Sequence, residues 1–528
     1  MTDGDDAGEG HAGDGSADDG DGGRGGSDAD TVVRRDRFAG GPARSFLSSL
    51  AADRRIFDAD LAVDRAHVVM LAEQGVVADD DAAVILAALD DVEAAGHGDL
   101  PDGEDVHEAI ESAVVDRVGP AGGRMHTARS RNDEVATCIR VRLREDLLDA
   151  AEATLTLREA LLSAAAEEAE TVMPGFTHRQ PAQPTTAGHL LASYAGALER
   201  DTARLLDAYD RTNQSPLGAA AFAGTPFDVD RERTADLLGF DGVVENATDA
   251  ATGRDFLTES AASLASLAAT LSGLATDGVE AAKDGYLVLD DDYSSTSSIM
   301  PQKVNPDTLE LVRAVSGDAV GDLTALLTTL KGLPRAYNRD LQRATPHVWD
   351  AVDDVSEATE VAAGAVATAE WDEAACAADA GAGFSTATGV ADALAMAGVP
   401  FRTAHELVAE AAAALDAGGT AATGSDDGDG AGGVDAETLA ANLDAAAEEV
   451  LGESVYEHVS REELQSVLDP AGSVASRDSR GGPAPDALAD SLARMESTYD
   501  DHAAAVTARY EALDAAADDR EEAVADYV

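Results

Sequence analysis

Four polar segments interrupt an Ala- and Leu-rich chain of 528 residues, and each holds side chains able to move a proton or grip an anion. Ser294-Ser-Thr-Ser-Ser-Ile-Met-Pro-Gln-Lys-Val-Asn-Pro306 is rich in hydroxyls and contains Ser297, Lys303 and Asn305. Its two prolines argue against a plain flexible linker; a mobile loop that delivers a serine and a lysine to an anionic substrate fits better. Pro174-Gly-Phe-Thr-His-Arg-Gln-Pro-Ala-Gln-Pro184 uses three prolines to stop helix continuation and stiffen the connection. There His178 lies beside Thr177. A loop histidine is usually a surface residue, but one held in a rigid turn is a candidate acid or base because it titrates near neutrality. His126-Thr-Ala-Arg-Ser-Arg-Asn-Asp133 places Arg131 and Asn132 where a helix opens, and free N–H groups at a helix start favour an anion. An N-cap with a solvated basic flank explains the same residues. In Leu333-Pro-Arg-Ala-Tyr-Asn-Arg-Asp-Leu-Gln342, the side chains of Tyr337, Asn338, Arg339 and Gln342 fit ligand binding and turn capping equally well. Asp290 to Asp292 fit a divalent cation in principle, but in so acidic a chain a solvated run is the preferred reading.

Helices must position these segments, because no sustained period-2 alternation occurs. Leu257, Ser260, Leu264, Leu267, Leu271 and Leu274 follow a 3-4-3-4-3 spacing, which keeps one stripe on one helical face. Leu191, Leu198 and Leu205 form a heptad in the helix before it, with Tyr194 on the same side. A later helix carries Leu309, Val312, Val315, Val320, Leu323, Leu327 and Leu330. From about Asn132 to Thr171 a further helix is predicted, about 60 Å long at 1.5 Å per residue. Helices this long, with apolar seams, belong in a bundle. The chain is therefore predicted to be all-α with three helical domains: 31–127, a central long-helix bundle over 128–375, and 376–528. A disordered acidic tail is expected at 1–30 and an acidic, Gly-rich insertion at 418–433. If the long helices alternate in direction, the segments 174–184 and 286–305 lie at one end of the bundle. Those at 126–133 and 333–340 then lie at the other, so a complete site needs an antiparallel partner.

Asp and Glu number 102 against 37 Lys and Arg, a net charge of −65, and only Lys283, Lys303 and Lys331 are lysines. Such a balance suits molar salt, where the Debye length falls to about 3 Å and repulsion between like charges is tolerable. The same field disfavours nucleic acid and anionic membranes as partners. No stretch is apolar enough for a membrane span, no secretory signal is visible, and two cysteines exclude a disulfide scaffold. A cytoplasmic protein is expected.

Together, His-Thr-x-Arg-Ser-Arg-Asn-Asp, Pro-Gly-[Phe/Tyr]-Thr-His-x-Gln-x-Ala-Gln-Pro and Ser-Ser-[Ile/Leu]-Met-Pro-Gln-Lys-x-Asn-Pro-Asp resemble the fumarase/aspartase superfamily. Gln302 and the Ser-Arg-Asn-Asp motif resemble its argininosuccinate lyase branch, and the likeness runs from about Phe46 to Met495. The resemblance implies β-elimination of argininosuccinate to arginine and fumarate in arginine biosynthesis, without a metal or organic cofactor. Ser297 matches the loop serine that acts as base, His178 the histidine that acts as acid, and Glu310 the carboxylate that orients it. Both assignments of acid and base are in use within the family. Lys303 and Asn305 match groups that hold the fumarate-side carboxylates. Substrate contacts carry over to Ser49, Arg131, Asn132, Thr177, Tyr337 and Gln342. Asp53 and the Glu104-Asp105-Val-His107 segment match the mobile amino-terminal part of the site, with Asp105 and His107 as binding residues. A homotetramer with each site drawn from three chains is implied. Three positions depart: Thr345 stands where a Lys is common, leaving Arg343 as a candidate substitute, Val304 replaces a common Lys and Ala128 a common Gly. Adenylosuccinate lyase and fumarase are the nearest alternative activities. A scaffold that has lost its chemistry is disfavoured by the intact Ser297, His178, Lys303 and Glu310.

Overall fold

The computed structural model describes residues 42–417 and 436–528, so the expected tail at 1–30 and insertion at 418–433 lie outside the described residues. The chain divides into two units. Met1–Leu47 is described only by the short helix Pro42–Leu47. The second unit, Ser48–Val528, is mostly helical and carries the site. Eight of its helices matter here: α1 (Phe57–Glu73), α2 (Val106–Val118), α3 (Arg131–Glu167), α4 (Ala187–Thr212), α5 (Asp255–Asp284), α6 (Asp307–Leu330), α7 (Leu341–Thr368) and α8 (Pro485–Ala525).

Local signals set the helix ends. Ser130 caps α3 in a capping box with Asp133, the arrangement that satisfies two otherwise unpaired N–H groups. Gly285, at φ 80°, ends α5 in the left-handed conformation that glycine adopts without strain. All six residues of the 3-4-3-4-3 stripe on α5 are buried, as are Leu191, Leu198 and Leu205 on α4. These faces pack α3 against α4 and α7, and α5 against α4, α6 and α7, in one core that begins at Ile56. Arg140 and Arg144, on the buried side of α3, bond across to helix ends: Arg140 Nη1 donates to the carbonyls of Arg211 (3.0 Å) and Thr212 (2.9 Å) at the end of α4. Helix α8 comes from the region that the sequence assigns to a C-terminal domain, yet it lies along α3 and α4 and adds Leu488 and Leu492 to the same core. A smaller apolar cluster, from Phe384 to Leu468, gathers the remaining C-terminal helices.

The chain is mostly helical, as expected, with two refinements. The first is that the described residues also include short strands. Three two-stranded antiparallel ladders lie in the polar connections: β1 (Val172–Thr177) with β2 (Gln180–Thr186), β3 (Leu287–Val288) with β6 (Glu370–Trp371), and β4 (Ser295–Thr296) with β5 (Val304–Asn305). Each is too short to show alternation, and prolines that forbid a helix are tolerated in strands that have only edges. The second concerns α6. Leu309, Val312 and Leu326 are buried, but Val320 is 51% and Leu327 48% exposed, and Leu311 is 71% exposed. Helix α6 packs on α5 and α7, and among the described residues nothing covers these apolar side chains fully.

Candidate active site

At the end of the bundle where α3, α5 and α7 begin, a cavity of about 390 Å³ collects Ser49, Asp105, His107, Arg131, Asn132, Tyr337 and Gln342. Ser49 donates its hydroxyl to Asp53 Oδ2 at 2.7 Å, and the N–H of Val106 donates to the same oxygen at 3.3 Å. Asp105 caps α2 through the N–H of Glu108 (2.8 Å) and meets Arg131 Nη1 at 3.3 Å. Asn132 donates to the carbonyl of Ala221 at 3.0 Å. Arg339 pairs with Glu104. Helix α7 contains Pro346 one turn in from its start, a position at which proline has no N–H to give to the helical ladder.

Beneath this cavity lies a buried charge network. Arg129 pairs with Asp64 (2.6 Å) and Glu134 (2.9 Å), and His107 Nδ1 meets Asp60 Oδ2 at 2.8 Å. The 126–133 segment is therefore more than a cap with a solvated basic flank, since Arg129 is fully sealed. Burial alone would make His107 neutral, but Asp60 and Glu134 outweigh it and raise its pKa to about 10. Burial raises Asp64 to about 7 and Glu134 to about 8, against the pull of Arg129. His126 is lowered to about 4, by burial and then by Arg129 and Arg131. Two trios, Asp60-His107-Cys138 and Asp60-Asp64-Glu134, each bring three candidate metal-ligand atoms within 4.8 Å of one another. The chain already supplies their counter-charge through Arg129 and His107.

Thr177, His178, Ser297, Lys303, Asn305 and Glu310 lie at the opposite end, where α3 and α5 finish and α6 starts. His178 and Arg179 form the tip of the β1–β2 hairpin at φ 54° and 59°. Both lie in the left-handed region required by the two central residues of a type I′ turn, and a non-glycine pair there is strained. The β4–β5 ladder closes the loop of residues 297–303. Inside it Ser297 Oγ accepts from the N–H of Met300 (3.1 Å) and, more weakly, that of Ile299 (3.4 Å), while Lys303 Nζ donates to Asn305 Oδ1. Tyr293 anchors the approach to this loop by lying on α7 at Gly364, where any Cβ would overlap the phenol. Asp290 to Asp292 are exposed, and Asp290 simply caps the following turn.

The chain thus gathers its predicted residues into two groups. Helix α3 separates them by about 55 Å at 1.5 Å per residue. Among the described residues no hydrogen bond links His178 to Ser297, Lys303 or Glu310. Thr345 lines the cavity, whereas Arg343 is exposed and is not part of the lining. Ala128, where the resemblance has a glycine, takes φ 63°. The network of Asp60, Asp64, Arg129 and Glu134 escaped sequence reasoning, although acids spaced i, i+4 in the apolar run of α1 were a usable signal. Arg254, a cavity residue at the start of α5, carried none.

A family described as Lyase matches residues 43–321, and one described as Argininosuccinate lyase C-terminal matches residues 384–475. Over 496 residues the chain is 65% identical to the argininosuccinate lyase of Natronomonas pharaonis, spanning 94% of this chain and 97% of that one. It is 62% identical over 499 residues to the argininosuccinate lyase of Haloarcula marismortui, again spanning 94% and 97%. Among solved structures it resembles EDDS lyase in complex with formate at a TM-score of 0.81 and 31% identity, covering 92% of this chain and 96% of the other.

Proposed function

The chain belongs to the argininosuccinate lyase family of the fumarase/aspartase superfamily and is a carbon–nitrogen lyase, and from that premise we propose how its residues divide the reaction. The substrate is argininosuccinate, cleaved by β-elimination to arginine and fumarate. Ser297 takes the proton from the succinyl carbon next to a carboxylate. The electron pair left behind spreads into that carboxylate and then forms the double bond of fumarate as the carbon–nitrogen bond breaks. His178, oriented by Glu310, protonates the departing guanidino nitrogen. Lys303, Asn305 and Thr177 hold the succinyl carboxylates, where fixed donors aimed at developing charge lower the barrier most. The cavity of Ser49, Asp105, His107, Arg131, Asn132, Tyr337 and Gln342 receives the arginine half.

One observation carries this reading: the β4–β5 fold directs main-chain N–H groups at Ser297 Oγ. A serine is a poor base unless its alkoxide is stabilised, and these donors, with Lys303 nearby in the loop, are of the kind that stabilises one. They favour Ser297 as base and His178 as acid. The 55 Å between the two groups of residues supports a homotetramer whose sites draw on neighbouring copies, with the uncovered apolar side of α6 as its core. We read the enzyme as cytoplasmic; among the described residues no helix is long and apolar enough to cross a membrane.

The test is fumarate absorbance in molar KCl with argininosuccinate, adenylosuccinate and malate offered separately. Only argininosuccinate should yield fumarate, and Ser297→Ala should abolish it. Turnover of either other substrate at a comparable rate would overturn the assignment.

A further inference from the structure

Ser297 stands in a loop with little packing of its own, since residues 298–304 are all exposed. Its position is therefore set by the two limbs from which the loop hangs. The outgoing limb is clasped by polar contacts: β5 pairs with β4, and Ser295 Oγ donates to Asp307 in the first turn of α6. The incoming limb leaves α5 at Gly285 and pairs β3 with β6. It then makes a turn closed by the carbonyl of Asp290, which accepts from the N–H of Tyr293 at 2.9 Å. Only three residues separate Tyr293 from Ser297.

The phenol of Tyr293 lies in a notch on α7 that is open because residue 364 is glycine. A Cβ there would come within 2.8 Å of Cε1 and closer still to Cζ and the hydroxyl, distances that packed atoms do not adopt. Backbone conformation gives no other reason for this glycine, because Gly364 lies inside α7 and takes no positive φ. Its neighbours are Ala362, Ala363 and Ala365, and in such a run helix propensity favours a further alanine. The helix gives up that preference at the point where the ring needs room.

We propose that Tyr293 and Gly364 are positioning residues for the elimination: ring and notch fix the incoming limb, so that each closure of the loop brings Ser297 to the same place. The inference rests on the reading of Ser297 as the base. Both residues act through that serine rather than on the substrate. A hydroxyl that must meet one proton tolerates little displacement, and a limb freed at Tyr293 passes its displacement on through three residues.

The experiment is a steric cycle. Fumarate release from argininosuccinate gives kcat and KM for wild type, Gly364→Ala, Tyr293→Ala, the double variant and Tyr293→Phe. Gly364→Ala drives the ring from its notch and should lower kcat by about tenfold to a hundredfold, the cost of misplacing a reacting group by about 1 Å, with KM within about threefold. Tyr293→Ala should lose a similar factor. In the double variant the added methyl meets no ring, so kcat should be no lower than in Tyr293→Ala alone. Tyr293→Phe keeps the ring in the notch and should retain most of the turnover. Rates are taken well below each unfolding midpoint, where a merely structural role would leave kcat per folded enzyme unchanged; that outcome overturns the proposal. So does a fully active Gly364→Ala, a double variant in which the two losses simply multiply, or a loss confined to KM. If Gly364→Ala fails to fold, Tyr293→Ala decides alone: a lowered kcat with KM kept upholds the proposal, and an undiminished kcat overturns it. Turnover that survives Ser297→Ala would instead strike at the reading of Ser297 as base.

Discussion

Replacing Asp60 with Asn removes the anion that sits 2.8 Å from His107 Nδ1, in a place where both side chains are sealed from water. In the folded chain Asp60 and Glu134 overcome the effect of burial and raise His107 from 6.5 to about 10. A base whose folded pKa exceeds its unfolded value contributes stability that is complete below pH 6.5 and is lost as the pH rises through 10. At pH 7 that displacement corresponds to about 4 kcal/mol, within the range found when one partner of a buried ion pair is removed. For Asp60 burial acts upward, but His107 and Arg129 outweigh it and leave the carboxyl below its ordinary value. Its contribution is therefore lost on the acid side, and the pair stabilises most between the two titrations. Molar salt should weaken it little, because screening acts on exposed charges far more than on buried ones. The assay is urea unfolding in molar KCl of wild type, Asp60→Asn, His107→Gln and the double variant. We expect Asp60→Asn to lose about 4 kcal/mol near pH 6, the gap to narrow steadily toward pH 10, and the cycle to show a coupling of at least about 2 kcal/mol. A gap that stays constant from about pH 6 to pH 9, or single effects that simply add in the double variant, would refute the reasoning.

Ser297→Ala and His178→Asn should each lower kcat by about a hundredfold to ten-thousandfold, the span of a lost proton-transfer group, while KM for argininosuccinate stays within a few-fold. Fumarate absorbance reads both, and a loss confined to KM would make either residue a binding group. Leu327→Asp, at the exposed end of α6, should split the proposed tetramer in light scattering and abolish activity with it; a fully active monomer would exclude sites shared between chains. Ser130→Ala removes half of the capping box of α3 and should cost about 1 kcal/mol in thermal unfolding, without changing KM. Ala128→Gly relieves a left-handed alanine and should leave stability unchanged or slightly raised, measured the same way.

Much of this architecture was legible because it rests on repetition. The stripe from Leu257 to Leu274 names its own buried face, and the 191–198–205 heptad does the same for α4. The β ladders were hidden because two- to seven-residue strands carry no period, although the prolines at 174, 181 and 184 did mark where helix had to stop. On α6 the periodicity was real, but it could not tell a face packed within the chain from one left uncovered, hence Val320 and Leu327 at the surface. Site residues divided along similar lines. Ser297, His178 and Lys303 stand in segments too peculiar to be linkers, whereas Arg254 looks like any arginine at a helix start. Its place in the cavity wall is a property of three-dimensional packing.

The same contrast governs the electrostatics. The chain carries a net charge of −65, and molar salt shortens the Debye length to about 3 Å, so that exposed pairs contribute little. All but three of the basic residues are arginine, and several have been drawn inside. Arg140 and Arg144 bind carbonyls at helix ends, Arg129 pairs with two buried acids, and Arg254 lines the cavity. A planar guanidinium with five donors suits each of these tasks, where an ammonium would leave acceptors unmet. It follows that salt should alter the charge repulsion across the surface far more than the buried pairs of Arg129 and His107. Those pairs lie out of reach of the ions that screen the acidic surface.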